Sequence, residues 1–349
     1  MPNTFREGFL KHIGPSSIPF LLIHVLALGL IVTGMGWPEV WLILGLYFGR
    51  MFFVTAGYHR YFSHRNYRLN RFWQFWMGFF SETTAQKGPI WWASHHRIHH
   101  RFSDLPGDVH SPKKGFWWSH VGWILSDENS EIEKDQVPDL LKYPELVWLD
   151  RLHLVPPILL GAACFLWGGW SFLFAFFAST VLLWHGTFTI NSLSHVFGKR
   201  RYATTDTSRN NPLLAFVTMG EGWHNNHHHY PGTARQGFFW YEWDPSWYLL
   251  NVLSWVGIVK DMRGVPAKKR DHLRIRDGHA DIGMMNNYLE KAGLALAQVT
   301  TSAGELCDKT RAEIEHFVET AKVKAVDIAE RYRAIADTDS LIFKSVGQA

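Results

Sequence analysis

The segment Gly220 to Pro231 reads GEGWHNNHHHYP and places His224, His227 and His228 in an HxxHH spacing. The same spacing recurs at His96, His99 and His100, and a third cluster pairs His59 with His64 in an HxxxxH spacing. Imidazole is the commonest protein ligand for catalytic transition metals. On a helix, positions i, i+3 and i+4 share a face, so each HxxHH box can aim three nitrogens into one small volume. His59 and His64 lie five apart, off a common face of an ideal α-helix, and reach one target only if the helix ends between them or the site is wide. Eight imidazoles exceed the roughly four to six ligands of one ion, which points to two ions.

His195, in the run Asn191-Ser-Leu-Ser-His195, is a ninth candidate, with Asn191 four residues before it. No carboxylate occupies a box position, which separates the pattern from the Glu-x-x-His bundles of soluble di-iron proteins. Asp104, Asp108 and Glu221 lie beside the boxes and can orient imidazole N–H groups. His95 and His229 adjoin boxes outside the spacing and are expected to line the pocket or support ligands. His12, His24, His153 and His185 are expected to be packed, hydrogen-bonded or interfacial residues, and His272, His279 and His316 solvated ones. Aromatic runs such as Trp91-Trp92 and Phe116-Trp117-Trp118 read as core and interface anchors.

The elements that must carry these boxes are apolar. The chain has 349 residues, 47% hydrophobic, with 18 Trp and 25 Phe, yet 19% are charged. Hydrophobic spans and a polar portion therefore coexist. Spans are expected at about 18–37, 40–57, 152–167 and 170–190, forming two hairpins with nearly uncharged turns. The third is short for a hydrocarbon core of about 30 Å. Arginine and lysine gather at the opposite ends, so both termini and all boxes are expected on the cytoplasmic side of a membrane, a bacterial inner membrane. The stretches 72–80 and 247–258 read as interfacial helices. Residues 1–17 form an N-terminal arm without a signal-peptide pattern, 18–263 the main domain, and 264–349 a helical tail, with Ile314, Phe317, Ala321, Ala325 and Ile328 at helical spacing. The fold class is an all-α membrane protein of four spans under a helical cap. Cys164 and Cys307 form no disulfide framework, and no nucleic-acid site is legible.

His59 to His64 (HRYFSH), His96 to His100 (HRIHH), Asp108 to His120 (DVHSPKKGFWWSH), Asn191 to His195 (NSLSH) and Gly220 to His228 (GEGWHNNHH) together resemble the membrane fatty-acid desaturases of the stearoyl-CoA (Δ9) type. The likeness spans about residues 18–263 in order, spacing and layout. It implies two irons that activate O2 beside a kinked acyl tunnel. One iron would be held by His59, His64, His96, His100 and His227, the other by His99, His195, His224 and His228, with Asn191 reaching the second through water. No catalytic residue is expected beyond these ligands. The implied reaction introduces a cis double bond, Δ9, into a saturated acyl chain. Acyl-CoA is the favoured carrier and a lipid-bound chain the alternative, because Ser94-His95 stands where animal acyl-CoA enzymes have Arg-Asp. No His-Pro-Gly-Gly signature of a fused cytochrome b5 occurs, so electrons are expected from a separate ferredoxin- or cytochrome b5-type donor. The competing readings are a hydroxylase or alkane monooxygenase on the same boxes, a histidine-lined metal transporter and a zinc hydrolase.

Overall fold

A computed structural model describes residues 17–275, 315–324 and 327. Residues 1–16, most of the tail, and with them His12, His279, Cys307, Ile314, Ala325 and Ile328, lie outside the described residues. The described residues are mostly helical and contain no strand, only isolated bridges such as Arg68 with Lys260 and Tyr202 with Arg274.

The first apolar run forms the helices Ile18–Ala27 and Gly29–Thr33. It stops at Thr33, earlier than residue 37, because Gly34 turns the chain at φ 78°. The next helix, Trp37–Phe52, starts earlier than residue 40: Pro38 occupies its first turn and the Glu39 carboxylate accepts the Gly36 N–H at 2.8 Å. Proline lacks only an N–H that no helix start uses, and the glutamate satisfies a donor left open there.

This helix does not end near residue 57. It passes directly into a π-helix, Phe53–Ser63, so the continuous apolar stretch is Trp37–Ser63. The long helix Val155–Asn191 is interrupted only at Gly168 and Gly169, the latter at φ 66°. Its two arms fold back on each other: a Cβ on Gly161 would stand 3.2 Å from Phe176 across the break. By length and composition, Trp37–Ser63 and Val155–Val196 can cross a membrane.

The turn ends lie together, since the Ser171 hydroxyl donates to the Glu39 carboxylate. Farther along, Arg50 is buried and donates to Thr180 Oγ1 and Ser179 Oγ at 2.8 Å each. An arginine so placed in an apolar bundle is tolerated because oxygens of the facing helix receive its N–H groups. The histidines lie at the ends of the elements remote from Glu39 and Ser171.

Two shorter helices complete the frame. Arg71–Glu82 is capped by Asn70, whose side chain accepts Trp73 N–H at 2.9 Å. Pro89–Phe102 carries the second box, and Asp150 Oδ1 accepts the N–H groups of Ile90 and Trp91, 2.9 Å each, at its start. A core of Met51, Tyr58, Phe62, Met77, Ile90, Leu146, Leu183 and Leu250 joins these helices to the apolar stretches. On the outside, Val32 is 87% exposed and Leu166 83%, which is the surface a lipid phase accepts and water does not. The described tail helix, 315–324, leaves its Phe317 exposed.

Candidate metal centre

The π-helix accounts for the first pair of histidines. Its i→i+5 bonding, seen in His64 N–H donating to His59 O at 3.2 Å, stacks residue i+5 over residue i. Of the two alternatives the sequence leaves open, the helix does not end between His59 and His64; its widening brings the two rings together, 4.9 Å between centroids. His96, His99 and His100 share one side of Pro89–Phe102 as the α-helical spacing dictates. His195 sits on the short turn Leu193–Val196 that follows the long helix, and the third box forms the six-residue helix His224–His229.

So short a helix needs outside support, and the residues between its histidines provide it. Asn225 Oδ1 accepts Arg201 and Tyr202 N–H groups at 2.7 Å each, and Asn226 Nδ2 donates to Glu242 Oε2 at 2.9 Å. Ahead of it, a Cβ on Gly222 would come within 2.0 Å of Ala215 N, so this approach admits only glycine.

All nine histidines meet in two adjoining groups. His59, His64, His96, His100 and His227 form one, and His99, His195, His224 and His228 the other, with nitrogens of each group within 4.8 Å of one another. The closest Nε2–Nε2 approaches are 2.8 Å for His227–His100, 2.9 Å for His59–His227 and His64–His96, 3.1 Å for His195–His224 and 3.4 Å for His99–His228. Asn191 is half-buried at the C-terminus of the long helix, four residues before His195.

Carboxylates stand behind the rings. His99 Nδ1 donates to Asp108 at 3.0 Å and His228 Nδ1 to Asp206 at 2.6 Å. His59 Nδ1 lies 2.6 Å from Glu221, which Arg60 also holds, and Arg60 in turn is bonded to Asp244. His195 Nδ1 faces Thr207 Oγ1 at 3.1 Å, and that hydroxyl donates to Asp104. Asp104, Asp108 and Glu221 are thus where the sequence places them. Asp206 was not legible, because it lies in an aperiodic polar loop; the surplus of carboxylates near the boxes was its only signal.

This arrangement tests whether a cation fits. A neutral imidazole that donates from Nδ1 carries a bare lone pair on Nε2. His99 and His228 both donate from Nδ1, so their Nε2 atoms face each other lone pair to lone pair, a repulsive contact that a cation between them relieves. Burial, then the neighbouring imidazoles, pushes His64, His96, His100, His224 and His227 well below the usual imidazole range, which keeps them in the ligating form. Burial also opposes charge on His99, but the Asp108 carboxylate outweighs it and raises this group, while Asp108 itself is held below the usual carboxylate range. The residues fit two metal ions with all-imidazole ligation.

The neighbours of the boxes are occupied elsewhere. His95 Nδ1 donates to Trp91 O at 2.9 Å with the rings stacked, and His229 Nε2 bonds Lys269 O at 2.6 Å while stacking on Tyr202. His153 Nδ1 bonds Asp150 O at 3.0 Å, and His272 and His316 are exposed. Ser94 is tied to the backbone of Glu133. His110, which the sequence did not single out, is buried with its ring centroid 4.1 Å from His99 and Asp108 nearby.

Comparison with known proteins agrees with this chemistry. Residues 35–242 match the model of the fatty acid desaturase family. An sn-2 palmitoyl-lipid 9-desaturase of Nostoc sp. is 36% identical over 261 residues, covering 72% of this chain and 91% of that protein. An acyl-CoA C20 Delta5-desaturase of Anemone leveillei is 34% identical, covering 70% of this chain and 80% of that protein. Delta-9 acyl-lipid desaturase 1 of Arabidopsis thaliana is 36% identical, covering 70% and 81%.

Proposed function

The chain belongs to the fatty acid desaturase family and is an oxidoreductase acting on fatty-acyl chains, and from that premise we propose that its nine histidines hold two irons and introduce a cis double bond at the ninth carbon with O2 as oxidant. The observation that carries this reading is the convergence of five and four imidazole nitrogens, backed by carboxylates, with no carboxylate in either group. His59, His64, His96, His100 and His227 hold one ion; His99, His195, His224 and His228 hold the other, which Asn191 reaches through water. Unactivated methylenes offer no acid–base handle, so the bound iron pair supplies the redox chemistry that removes two adjacent hydrogens.

The protein's own groups do the rest. Asp108 and Asp206 fix the tautomers of His99 and His228, and Glu221 orients His59. Trp92 lies stacked between Tyr58, 5.5 Å away, and His96, 4.9 Å away, giving the five-histidine group a flat apolar wall. Four membrane crossings place this centre at the cytoplasmic side of a bacterial inner membrane, both termini on that side, and a separate ferredoxin- or cytochrome b5-type protein supplies electrons. The bond between Ser171 and Glu39 supports both turns lying on one side, away from the boxes, and the Arg and Lys residues at the box ends favour the cytoplasm for the other.

Acyl-CoA is the first reading of the carrier. A lipid-bound chain is the second, favoured by Ser94 and His95: both are satisfied internally, and neither presents a fixed cation to nucleotide phosphates.

Expression in a desaturase-deficient host tests the whole. The expected result is a new double bond, located by mass spectrometry in the acyl-CoA or lipid pool, and two irons per chain, with metal lost in His99→Ala and His224→Ala. A hydroxy-acyl product, or one zinc per chain, would sink the proposal.

A further inference from the structure

One aromatic ring outside the centre carries three guanidiniums. Arg274 Cζ lies 4.7 Å from the centroid of Phe239, Arg201 Cζ 4.8 Å and Arg270 Cζ 5.6 Å. The electron-rich faces of the ring tolerate this gathering of like charge. Carboxylates balance only part of it. Arg201 is held by the buried Glu242, whereas Arg270 meets Asp271 in an ion pair open to solvent, which water screens. Arg274 is exposed, and no carboxylate among the described residues hydrogen-bonds it. The run from Lys268 to Arg274, KKRDHLR, holds four cations against one carboxylate.

The same stretch is an exposed aromatic edge. Trp240 is 85% exposed, Tyr241 stacks on Phe239 with centroids 5.6 Å apart, and Trp243 stacks on Phe216 at 5.4 Å. Phe216 in turn meets Phe48 at 6.2 Å, on the apolar stretch Trp37–Ser63 that can cross a membrane. On the other side, Asp244 caps the helix Pro245–Trp255, whose Leu249, Val252 and Trp255 are exposed. An apolar surface thus runs from a membrane-length helix to the ring that carries the arginines. Tryptophan and tyrosine collect at the headgroup level of a bilayer, where an apolar ring and a polar edge are both accommodated. That continuity decides the occupant. A phospholipid of net negative charge can place its phosphate on the guanidinium edges, which stacking leaves free to donate, and its glycerol and acyl portion against Trp240 and Tyr241.

We propose that Arg270 and Arg274, set on Phe239 and flanked by Trp240 and Tyr241, bind the headgroup of a membrane phospholipid of net negative charge. The site is independent of the reaction described above and rests only on the chain's lying in a membrane. Its segment is tied to the third box. Tyr202 Oη donates to Arg270 O at 2.7 Å, Ile275 N–H donates to Arg201 O at 2.7 Å, and Lys269 O lies 2.6 Å from His229 Nε2. Tyr202 stacks on His229, the neighbour of His228. A lipid that holds residues 268–275 in place therefore also holds the support of that box, and binding to the folded state alone raises the melting temperature.

The test equilibrates the full-length protein in detergent with equal phosphatidylglycerol and phosphatidylcholine and counts bound lipid by native mass spectrometry. Wild type should retain phosphatidylglycerol about 20-fold over phosphatidylcholine. It should also melt higher in nanodiscs that contain phosphatidylglycerol than in phosphatidylcholine alone. Arg270→Glu combined with Arg274→Glu should abolish the preference and the lipid-dependent rise, and leave the melting temperature in phosphatidylcholine unchanged. Arg274→Lys keeps the charge and should keep most of the preference. If the double reversal melts lower in phosphatidylcholine, Arg274→Gln carries the test instead, with a loss of about fivefold. Several outcomes overturn the site. One is wild-type preference in the double reversal. Another is equal loss in Lys113→Glu, an exposed cation outside the cluster, which would mean attraction spread over the whole face. Displacement of the lipid by inorganic phosphate, or loss of ferredoxin binding with lipid preference intact, would assign the arginines to a soluble anion or an acidic protein. Protein that stays dissolved without detergent overturns instead the membrane reading beneath it.

Discussion

Two sets of histidines share this molecule, and the same side chain does opposite things in them. In the hydrogen-bonded chain from Phe20 O through His24, His185 and His120 to Ser192, every contact can pair an N–H or O–H with a lone pair, so the rings satisfy one another. In the centre, Asp108 and Asp206 take the Nδ1 protons of His99 and His228 and leave their Nε2 lone pairs face to face. What decides between a hydrogen-bonded chain and a ligand set is therefore the partner on the far side of the ring. A carbonyl at one end gives a chain with direction; carboxylates behind several rings give a set of lone pairs that suits a cation.

The largest effect should follow from removing a nitrogen at the centre. His227 Nε2 approaches both His59, at 2.9 Å, and His100, at 2.8 Å, so His227→Ala opens the five-histidine group at its middle. Desaturation should fall to background and iron per chain to about half, read by metal analysis of purified protein. Equal iron in variant and wild type would show that His227 is no ligand.

Breaking the contrast from behind is gentler. Asp206→Asn leaves every candidate ligand in place but offers His228 Nδ1 an amide that can donate as well as accept. Affinity of the four-histidine group for metal should weaken about 10–100-fold, measured by chelator competition, while the His24 chain keeps its NMR tautomers. Loss of both would mean that the two sets are not separable.

Acid should bear on the centre through burial. His64, His96, His100, His224 and His227 have folded values depressed by burial and by one another. The unfolded chain takes up protons near pH 6.5 and the folded one does not, so below that point protons favour unfolding. Metal-free protein should lose stability as pH falls from about 6.5, and bound metal should raise the stability and steepen that slope, because the folded state must then keep its ligands deprotonated. Unfolding midpoints at stepped pH, with and without iron, check this.

How much of this the sequence shows depends on how local each cause is. His96, His99 and His100 were readable because α-helical spacing alone puts them on one side. The break at Gly168 and Gly169 was readable because two adjacent glycines interrupt an apolar run. The π-helix that stacks His64 over His59 was not, since it has no spacing signature that an α-helical reading would seek. Asp206 was hidden in a loop with no period. His24 and His185 read as isolated packed residues, and His120 stood only inside a motif, because their contacts span 161 and 65 positions and only packing brings them together.

The last prediction touches stability alone and isolates burial from partnership. Asp108 and Glu82 are both buried carboxyls, but Asp108 receives an imidazole N–H and Glu82 has no hydrogen-bond partner on either oxygen. Their shifts run oppositely: Asp108 is held low, while burial, helped by Asp150, pushes Glu82 up to about 9. Unfolded glutamate releases its proton near 4.5, so between that value and about 9 the folded state holds the extra proton. The stability this gives is fully present below 4.5 and is lost as pH rises through 9, at no more than about 1.4 kcal/mol per pH unit. Glu82→Gln cannot titrate, so its stability should be flat across that window and exceed the wild type most at the alkaline end. Chemical denaturation at pH 6 and pH 9 reads the crossover. An unchanged slope would mean that Glu82 finds a partner in solution, and that burial alone does not set the protonation of this interior.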